Sequence, residues 1–169
     1  MPRINKRRVS GGKYYPLFEH GLGCTEGLVR FYRSDMDCQV IPERKLRGFG
    51  IVPEAGILYP NNTLLLYEFC THDNFNRPGL ILSKITRYQS QLSRFEQKFG
   101  GEAVVVFVAD DTRFKVDCFV NDHMPLGEQL FFTDYKTFLD TPIGEQLCAP
   151  IYIWGNDSWP YALRGSNDS

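Results

Sequence analysis

Apolar positions along the chain recur with two periods, and the change of period marks the elements. From residue 77 to 99 the apolar side chains Leu80, Ile81, Ile85, Tyr88, Leu92 and Phe95 are spaced by three and four, which predicts a helix. Pro78 suits its first turn, and Gly100 with Gly101 supplies its end. Residues 103–109 form a β-branched apolar run of strand length. Upstream, residues 51–58 and 63–70 are two further strand-length runs, joined by Tyr59, Pro60, Asn61 and Asn62, whose chemistry suits a tight turn. They read as an antiparallel hairpin. The second run is apolar on both alternating faces until Glu68, the mark of a central strand covered on both sides.

The succession of strand 63–70, helix 77–99 and strand 103–109 is a βαβ unit, so those two strands are expected to lie parallel in one sheet. Before it, Gly21, Gly23 and Gly27 argue against a continuous helix from residue 19. A helix beginning at Thr25 as N-cap is expected instead, with Leu28, Val29, Phe31 and Tyr32 as its apolar stripe. Residues 35–42 form a short strand candidate closed by Pro42. Downstream, 113–120 is open between strand and helix, 130–133 reads as a short strand, 134–139 as a helical turn or two, and 149–154 as another apolar strand or edge segment. The order α, β, β, β, α, β is that of an α/β domain with a central mixed β-sheet flanked by helices.

At 169 residues there is length for one domain, expected over 14–163, between a basic arm at 1–13 and a polar tail at 164–169. Five widely spaced cysteines with no C-x-x-C pair indicate neither a disulfide framework nor a zinc knuckle; most are expected to be small buried side chains in a reduced, cytoplasmic protein. No apolar run reaches the ~20 residues needed to cross a bilayer. The balance of 19 Lys and Arg against 20 Asp and Glu removes the globally basic charge that often accompanies nucleic-acid binding. Its distribution is uneven, however: Arg3, Lys6, Arg7 and Arg8 crowd the N-terminus, where they read either as a phosphate-contacting arm or as a solvated tail.

Two acids stand out. Glu54 sits in an otherwise apolar strand candidate, and Glu68 lies at the end of its hairpin partner away from the turn. Two carboxylates on adjacent strands would make an oxygen-rich site suited to Mg²⁺ or Mn²⁺, with Lys84 on the following helix adding a positive charge. The alternative is that both acids are solvated strand ends and Lys84 an exposed helix residue. His20 reads as a phosphate or metal contact or as a loop-satisfying histidine. His72 and Asp73 follow Glu68 closely enough to serve as a base, or form an ordinary polar loop. Arg77, Lys84, Arg87, Arg94 and Lys98 on the long helix form either a phosphate-contacting face or a solvated one.

Pro53-Glu54, a turn, and Glu68-Phe69-Cys70 in this element order resemble the PD-(D/E)XK, or restriction-endonuclease-like, superfamily. Several segments are also similar to the bacterial replication-relaxation family, associated with plasmid replication and DNA relaxation. They are Phe18-Glu19-His20-Gly21-Leu22-Gly23, Val52-Pro53-Glu54-Ala55-Gly56, Glu68-Phe69-Cys70-Thr71, Lys84-Ile85-Thr86-Arg87-Tyr88 and Leu130-Phe131-Phe132-Thr133. The resemblance spans about residues 17 to 154. It implies a restriction-endonuclease-like core (α-β-β-β-α-β) acting on DNA, with Glu54 and Glu68 as metal ligands and Lys84 as the third catalytic group. Nucleic acid would meet the basic arm, Lys84 and Arg87, and a protein partner in a replication or mobilisation complex is also implied.

Two departures bear on activity. The family pattern has Asp at position 54, where Glu keeps the charge on an arm one methylene longer. The superfamily motif has Lys at position 70, where this chain has Cys70, so Lys84 is the expected replacement cation. If Lys84 does not reach the site, the same fold would serve as a catalytically inactive DNA-binding or protein-interaction module. The winged-helix segment implied in longer relatives has no room before His20.

Overall fold

The structure, a computed structural model, describes residues 15–33, 38–60, 62–123, 126–127 and 129–140, with the backbone alone described at 15–18 and 31–33. Helix α1 (Tyr15–Arg33) precedes strand β1 (Gln39–Pro42), the short helix α2 (Glu43–Leu46), and strands β2 (Ala55–Leu58) and β3 (Leu64–Cys70). The single-turn helix α3 (His72–Phe75) leads into the long helix α4 (Pro78–Phe99), then strand β4 (Ala103–Ala109), helix α5 (Arg113–Asp122), strand β5 (Leu130–Asp134) and helix α6 (Tyr135–Asp140). The five strands form one sheet in the order β1-β2-β3-β4-β5. The first three pair antiparallel and the last three parallel, so β3 is the strand at which direction changes. This is the mixed sheet flanked by helices that the sequence predicts, with the α-β-β-β-α-β order intact and two short helices inserted.

The parallel pairing of β3 with β4 follows from the βαβ unit, and its register sets Glu68 beside Phe107. All seven residues of β3 and all seven of β4 are buried, because helices cover both faces. On one face Leu64, Leu66, Cys70, Val105 and Phe107 pack against Ile81, Ile85, Tyr88, Leu92 and Phe95 of α4. On the other, Leu65, Tyr67, Phe69, Val104 and Val106 pack with Ala55, Ile57 and Phe138, and Cys24 and Leu28 of α1 lie against them. Helix α4 starts with Pro78 in its first turn and stops at Gly100, whose φ of 79° is the left-handed conformation that glycine adopts without strain. Leu80, expected in its apolar stripe, is 49% exposed; the buried stripe begins at Ile81.

Helix α1 departs furthest from expectation. It runs unbroken through Gly21, Gly23 and Gly27, and Thr25 is an interior residue whose hydroxyl donates to the Gly21 carbonyl at 2.7 Å. Gly23 and Gly27 are spacers for close approach. A Cβ on Gly23 would lie 2.3 Å from the Phe69 ring, and one on Gly27 would lie 2.5 Å from Tyr67. Tyr67 in turn donates its hydroxyl hydrogen to the Gly23 carbonyl at 3.1 Å, tying α1 to β3. Helix propensity disfavours glycine by about 1 kcal/mol per residue, and docking against two aromatic rings outweighs that preference.

Further differences are smaller. Strand β2 begins at Ala55, so Glu54 stands just before it, not inside an apolar strand. The open segment at 113–120 is helical, capped by the Thr112 hydroxyl accepting from the Lys115 amide. The basic arm with Arg3, Lys6, Arg7 and Arg8, the segment 149–154 and the tail 164–169 lie outside the described residues. Among the described residues no helix is long and apolar enough to cross a membrane.

Candidate functional site

Alternation along β3 points Leu64, Leu66, Glu68 and Cys70 toward the same face, so the pattern that fills the core also carries a carboxylate into it. Glu68 is fully buried. Isolated there it would be costly, but both of its oxygens are engaged from α4. Lys84 donates to Oε2 and the Tyr88 hydroxyl donates to Oε1. Lys84 and Tyr88 are four residues apart, one above the other on a single face of the helix. The Tyr88 ring is fixed by edge-on contact with Phe107, the neighbour of Glu68 on β4, with ring centres 5.9 Å apart and planes at 87°.

Burial dominates the electrostatics of this pair. It pushes the Glu68 carboxyl above its ordinary value, and the charge and hydrogen bond of Lys84 and the bond from Tyr88 only partly counter it. For Lys84, burial disfavours the ammonium, yet the neighbouring Glu68 carboxylate more than compensates and holds its pKa above the ordinary lysine value. Its side chain remains 37% exposed, so the ammonium bridges the buried carboxylate and solvent. Cys70, where the superfamily motif has lysine, is fully buried, and burial pushes its thiol up to about 12. It is an inert thiol on the α4 face, with the cation arriving from the helix above it.

Glu54 stands where β2 begins, its amide donating to the Tyr67 carbonyl at 3.0 Å. Its carboxylate is 2.9 Å from His20 Nε2 on α1. Burial raises the Glu54 pKa, but the hydrogen bond and charge of His20, with Lys84 and Cys24 adding to them, leave it below the ordinary glutamate value. The same hydrogen bond raises His20 above 6.5 against the opposing effect of burial. Lys84 therefore acts electrostatically on both glutamates, and the structure brings Glu54, Glu68 and Lys84 into one electrostatic neighbourhood.

The sequence places Tyr88 in the apolar stripe of α4 and Cys24 among the cysteines, and gives neither a part in the site. Tyr88 has a signal in its i+4 spacing from Lys84. Cys24 has one in its i+4 spacing from His20, whose ring nitrogens lie 3.7 and 3.9 Å from Cys24 Sγ. The ligand atoms of His20, Cys24 and Glu54 all lie within 4.8 Å of one another, and each residue is partly exposed.

Other candidates separate from this site. His72 lies 2.9 Å from Asp111 through Nδ1 and receives the Asn76 amide at Nε2, also at 2.9 Å. It belongs to a polar network at the carboxyl ends of β3 and β4, and neighbouring Asp73 is exposed. On α4, Arg94 and Lys98 lie over the Phe49 ring at 5.5 and 4.8 Å, and Lys98 also donates to the Lys45 carbonyl. These two cations serve packing. Arg77 and Arg87 are exposed, Arg87 one turn from Lys84.

No protein-family model matches the sequence, and no curated protein matches it. Among solved structures, the chain is similar to the small subunit, R.BspD6I2, of the heterodimeric restriction endonuclease R.BspD6I. The two share 13% identity at a TM-score of 0.47, over 75% of this chain and 72% of that one.

Proposed function

We propose that this chain is a DNA-processing domain that hydrolyses phosphodiester bonds with a divalent cation, using Glu54, Glu68 and Lys84. The observation that carries the reading is the contact of Lys84 with Glu68. The cation missing from β3 at Cys70 is supplied from α4 to the same carboxylate. A carboxylate on the switch strand of the sheet, a second at the start of its antiparallel neighbour and a lysine bonded to the first make up the residue types that the PD-(D/E)XK resemblance implies.

The donor set suits Mg²⁺ or Mn²⁺, which are bound through carboxylate oxygens. Glu54 presents a partly exposed carboxylate. Each Glu68 oxygen accepts one hydrogen bond and keeps a second lone pair. Bound there, the cation would neutralise phosphate charge and supply a nucleophile from water at neutral pH. Lys84, charged and half in solvent, would hold Glu68 ionised and offer its remaining N–H groups to a phosphate oxygen. Arg87 extends this positive edge, and the basic arm Arg3, Lys6, Arg7 and Arg8 would add contacts to the DNA backbone. The resemblance to the replication-relaxation family suggests a plasmid-replication or mobile-element setting, in the cytoplasm and with a protein partner.

A second reading is favoured by one observation. Glu68 has only 1% of its side chain exposed and both oxygens bonded, as in a structural ion pair of a non-catalytic module on the same sheet. The deciding experiment is a cleavage assay with Mg²⁺ and Mn²⁺ on supercoiled, linear and single-stranded DNA. Cation-dependent cleavage abolished by Glu68→Gln supports the enzyme. Cleavage retained in that variant, or none by the unsubstituted chain, overturns it.

A further inference from the structure

We infer that His20, Cys24 and Glu54 form a binding site for a borderline transition-metal ion, Zn²⁺ by chemistry, distinct from the all-oxygen pair of Glu54 and Glu68. The inference shares Glu54 with the nuclease reading but does not depend on hydrolytic activity. It rests on how α1 is docked. Gly23 and Gly27 let the helix lie directly on Phe69 and Tyr67, and this brings its His20–Cys24 face to the start of β2. Residues i and i+4 of a helix share a face, so one helix supplies two ligands and the sheet a third.

The distances fit. In a tetrahedral zinc site with Zn–N and Zn–O near 2.0–2.2 Å and Zn–S near 2.3 Å, ligand atoms stand about 3.3–3.8 Å apart. Cys24 Sγ is 3.9 Å from His20 Nε2, close to that separation. His20 Nε2 and Glu54 Oε1 are 2.9 Å apart, the length of the hydrogen bond they now share. Replacing that proton by a metal requires the two atoms to separate by roughly half an ångström, and Glu54, standing before the first rung of β2, can rotate to allow it. His20 and Glu54 retain 31% and 21% side-chain exposure, so the site is reached from solvent and keeps a fourth position for water.

The donor chemistry selects the metal. Mg²⁺ and Ca²⁺ take oxygen ligands, whereas a neutral imidazole with a thiolate suits Zn²⁺ or Co²⁺. A divalent ion with one thiolate, one carboxylate and one imidazole is electrically neutral, as a half-buried site requires. On binding, the Cys24 thiol gives up its proton to solvent and His20 binds as the neutral Nδ1–H imidazole, its Nε2 proton released from the imidazolium or, in the neutral ring, exchanged through solvent to Nδ1; metal–sulfur and metal–nitrogen bonds take their place. The alternative use of the three groups is a Cys–His–Glu nucleophile. Burial and the Glu54 charge push the Cys24 thiol far above its ordinary value, which is the reverse of what a nucleophile needs.

The test uses the full chain stripped with a chelator and then titrated with Co²⁺, with Zn²⁺ as competitor. One equivalent of Co²⁺ should produce a thiolate-to-metal absorption band in the near ultraviolet and intense visible bands of four-coordinate geometry, both removed by Zn²⁺. Cys24→Ser should abolish the thiolate band, and His20→Gln and Glu54→Gln should weaken Co²⁺ binding at least about tenfold. Cys118→Ser and Glu68→Gln should leave the spectrum unchanged. Circular dichroism of each variant checks that α1 still folds, and the near-isosteric Cys24→Ser keeps the test usable if His20→Gln does not. Absence of the band, or its survival in Cys24→Ser, overturns the inference. Absence of cleavage by the unsubstituted chain, with its cobalt spectrum intact, would sink the nuclease reading and leave the metal site standing.

Discussion

Lys84 on α4 donates to the buried carboxylate of Glu68 on β3, so the one acid in the centre of the sheet is held by a cation from the helix packed over it. The pair joins the strand at which sheet direction changes to the longest helix among the described residues.

Replacing Lys84 by Met should destabilise the protein by about 1–3 kcal/mol, because Glu68 is left buried with Tyr88 as its remaining partner. The sign of the pH dependence follows from burial, which already holds the Glu68 carboxyl above its ordinary value. An acid whose folded pKa exceeds its unfolded one binds its proton more tightly in the folded state. Stability is then greatest below the unfolded value and falls as pH rises through the folded one. Urea unfolding of Lys84→Met should therefore show a smaller deficit at mildly acidic than at mildly alkaline pH.

Tyr88→Phe removes only the hydroxyl that donates to Glu68 Oε1 and keeps the ring against Phe107. A loss of about 1–2 kcal/mol is expected from the unsatisfied oxygen. Because both substitutions act on one carboxylate, the double variant with Lys84→Met should be non-additive in a thermodynamic cycle. Additive losses would mean that Tyr88 and Lys84 act separately.

Gly27→Ala and Gly21→Ala should change stability in opposite directions. Gly21 has open space around it, so alanine there gains helix propensity and raises stability by roughly 0.5–1 kcal/mol. At Gly27 the new methyl would meet Tyr67 at 2.5 Å, and overpacking costs about 1–3 kcal/mol. Thermal melts of the two variants check the pair. Equal stabilisation at both would show that α1 does not lie against β3 as described.

Thr112→Ala removes the hydroxyl that caps α5 at the Lys115 amide. The expected loss is about 1 kcal/mol, with Thr112→Ser restoring most of it, as read from chemical-denaturation midpoints. Since the Thr112 cap bond is local to the first turn of α5, neither variant should alter cleavage or Co²⁺ binding.

The elements governed by local periodicity were legible without a structure. The three-and-four spacing of Ile81, Ile85, Tyr88, Leu92 and Phe95 determines α4. The β-branched run at 103–109 determines β4, and the loop lengths between them leave parallel pairing with β3 as the economical arrangement. Glu68 was conspicuous because a lone carboxylate in a doubly buried strand requires a partner. Lys84 was expected either to add a positive charge beside the two acids or to be an exposed helix residue, and the PD-(D/E)XK resemblance implied it as the cation in place of Cys70.

Contacts decided the rest. Gly21, Gly23 and Gly27 read locally as helix breakers, and two of them are spacers for Phe69 and Tyr67, a role defined by a surface 40 or more residues away in sequence. Tyr88 fits the apolar stripe by spacing, and only the register that sets Glu68 beside Phe107 reveals its hydroxyl as a partner for the acid. His20, Cys24 and Glu54 carry no joint signature in sequence, since Glu54 stands 30 residues beyond Cys24. What the sequence by itself determined is where α4 and the strands on either side of it lie, and that Glu68 stands out as a carboxylate in an apolar strand. Which side chains meet that acid, and which three gather at the start of β2, was decided by the tertiary structure, because side chains converge only after helix faces and strand register are fixed together.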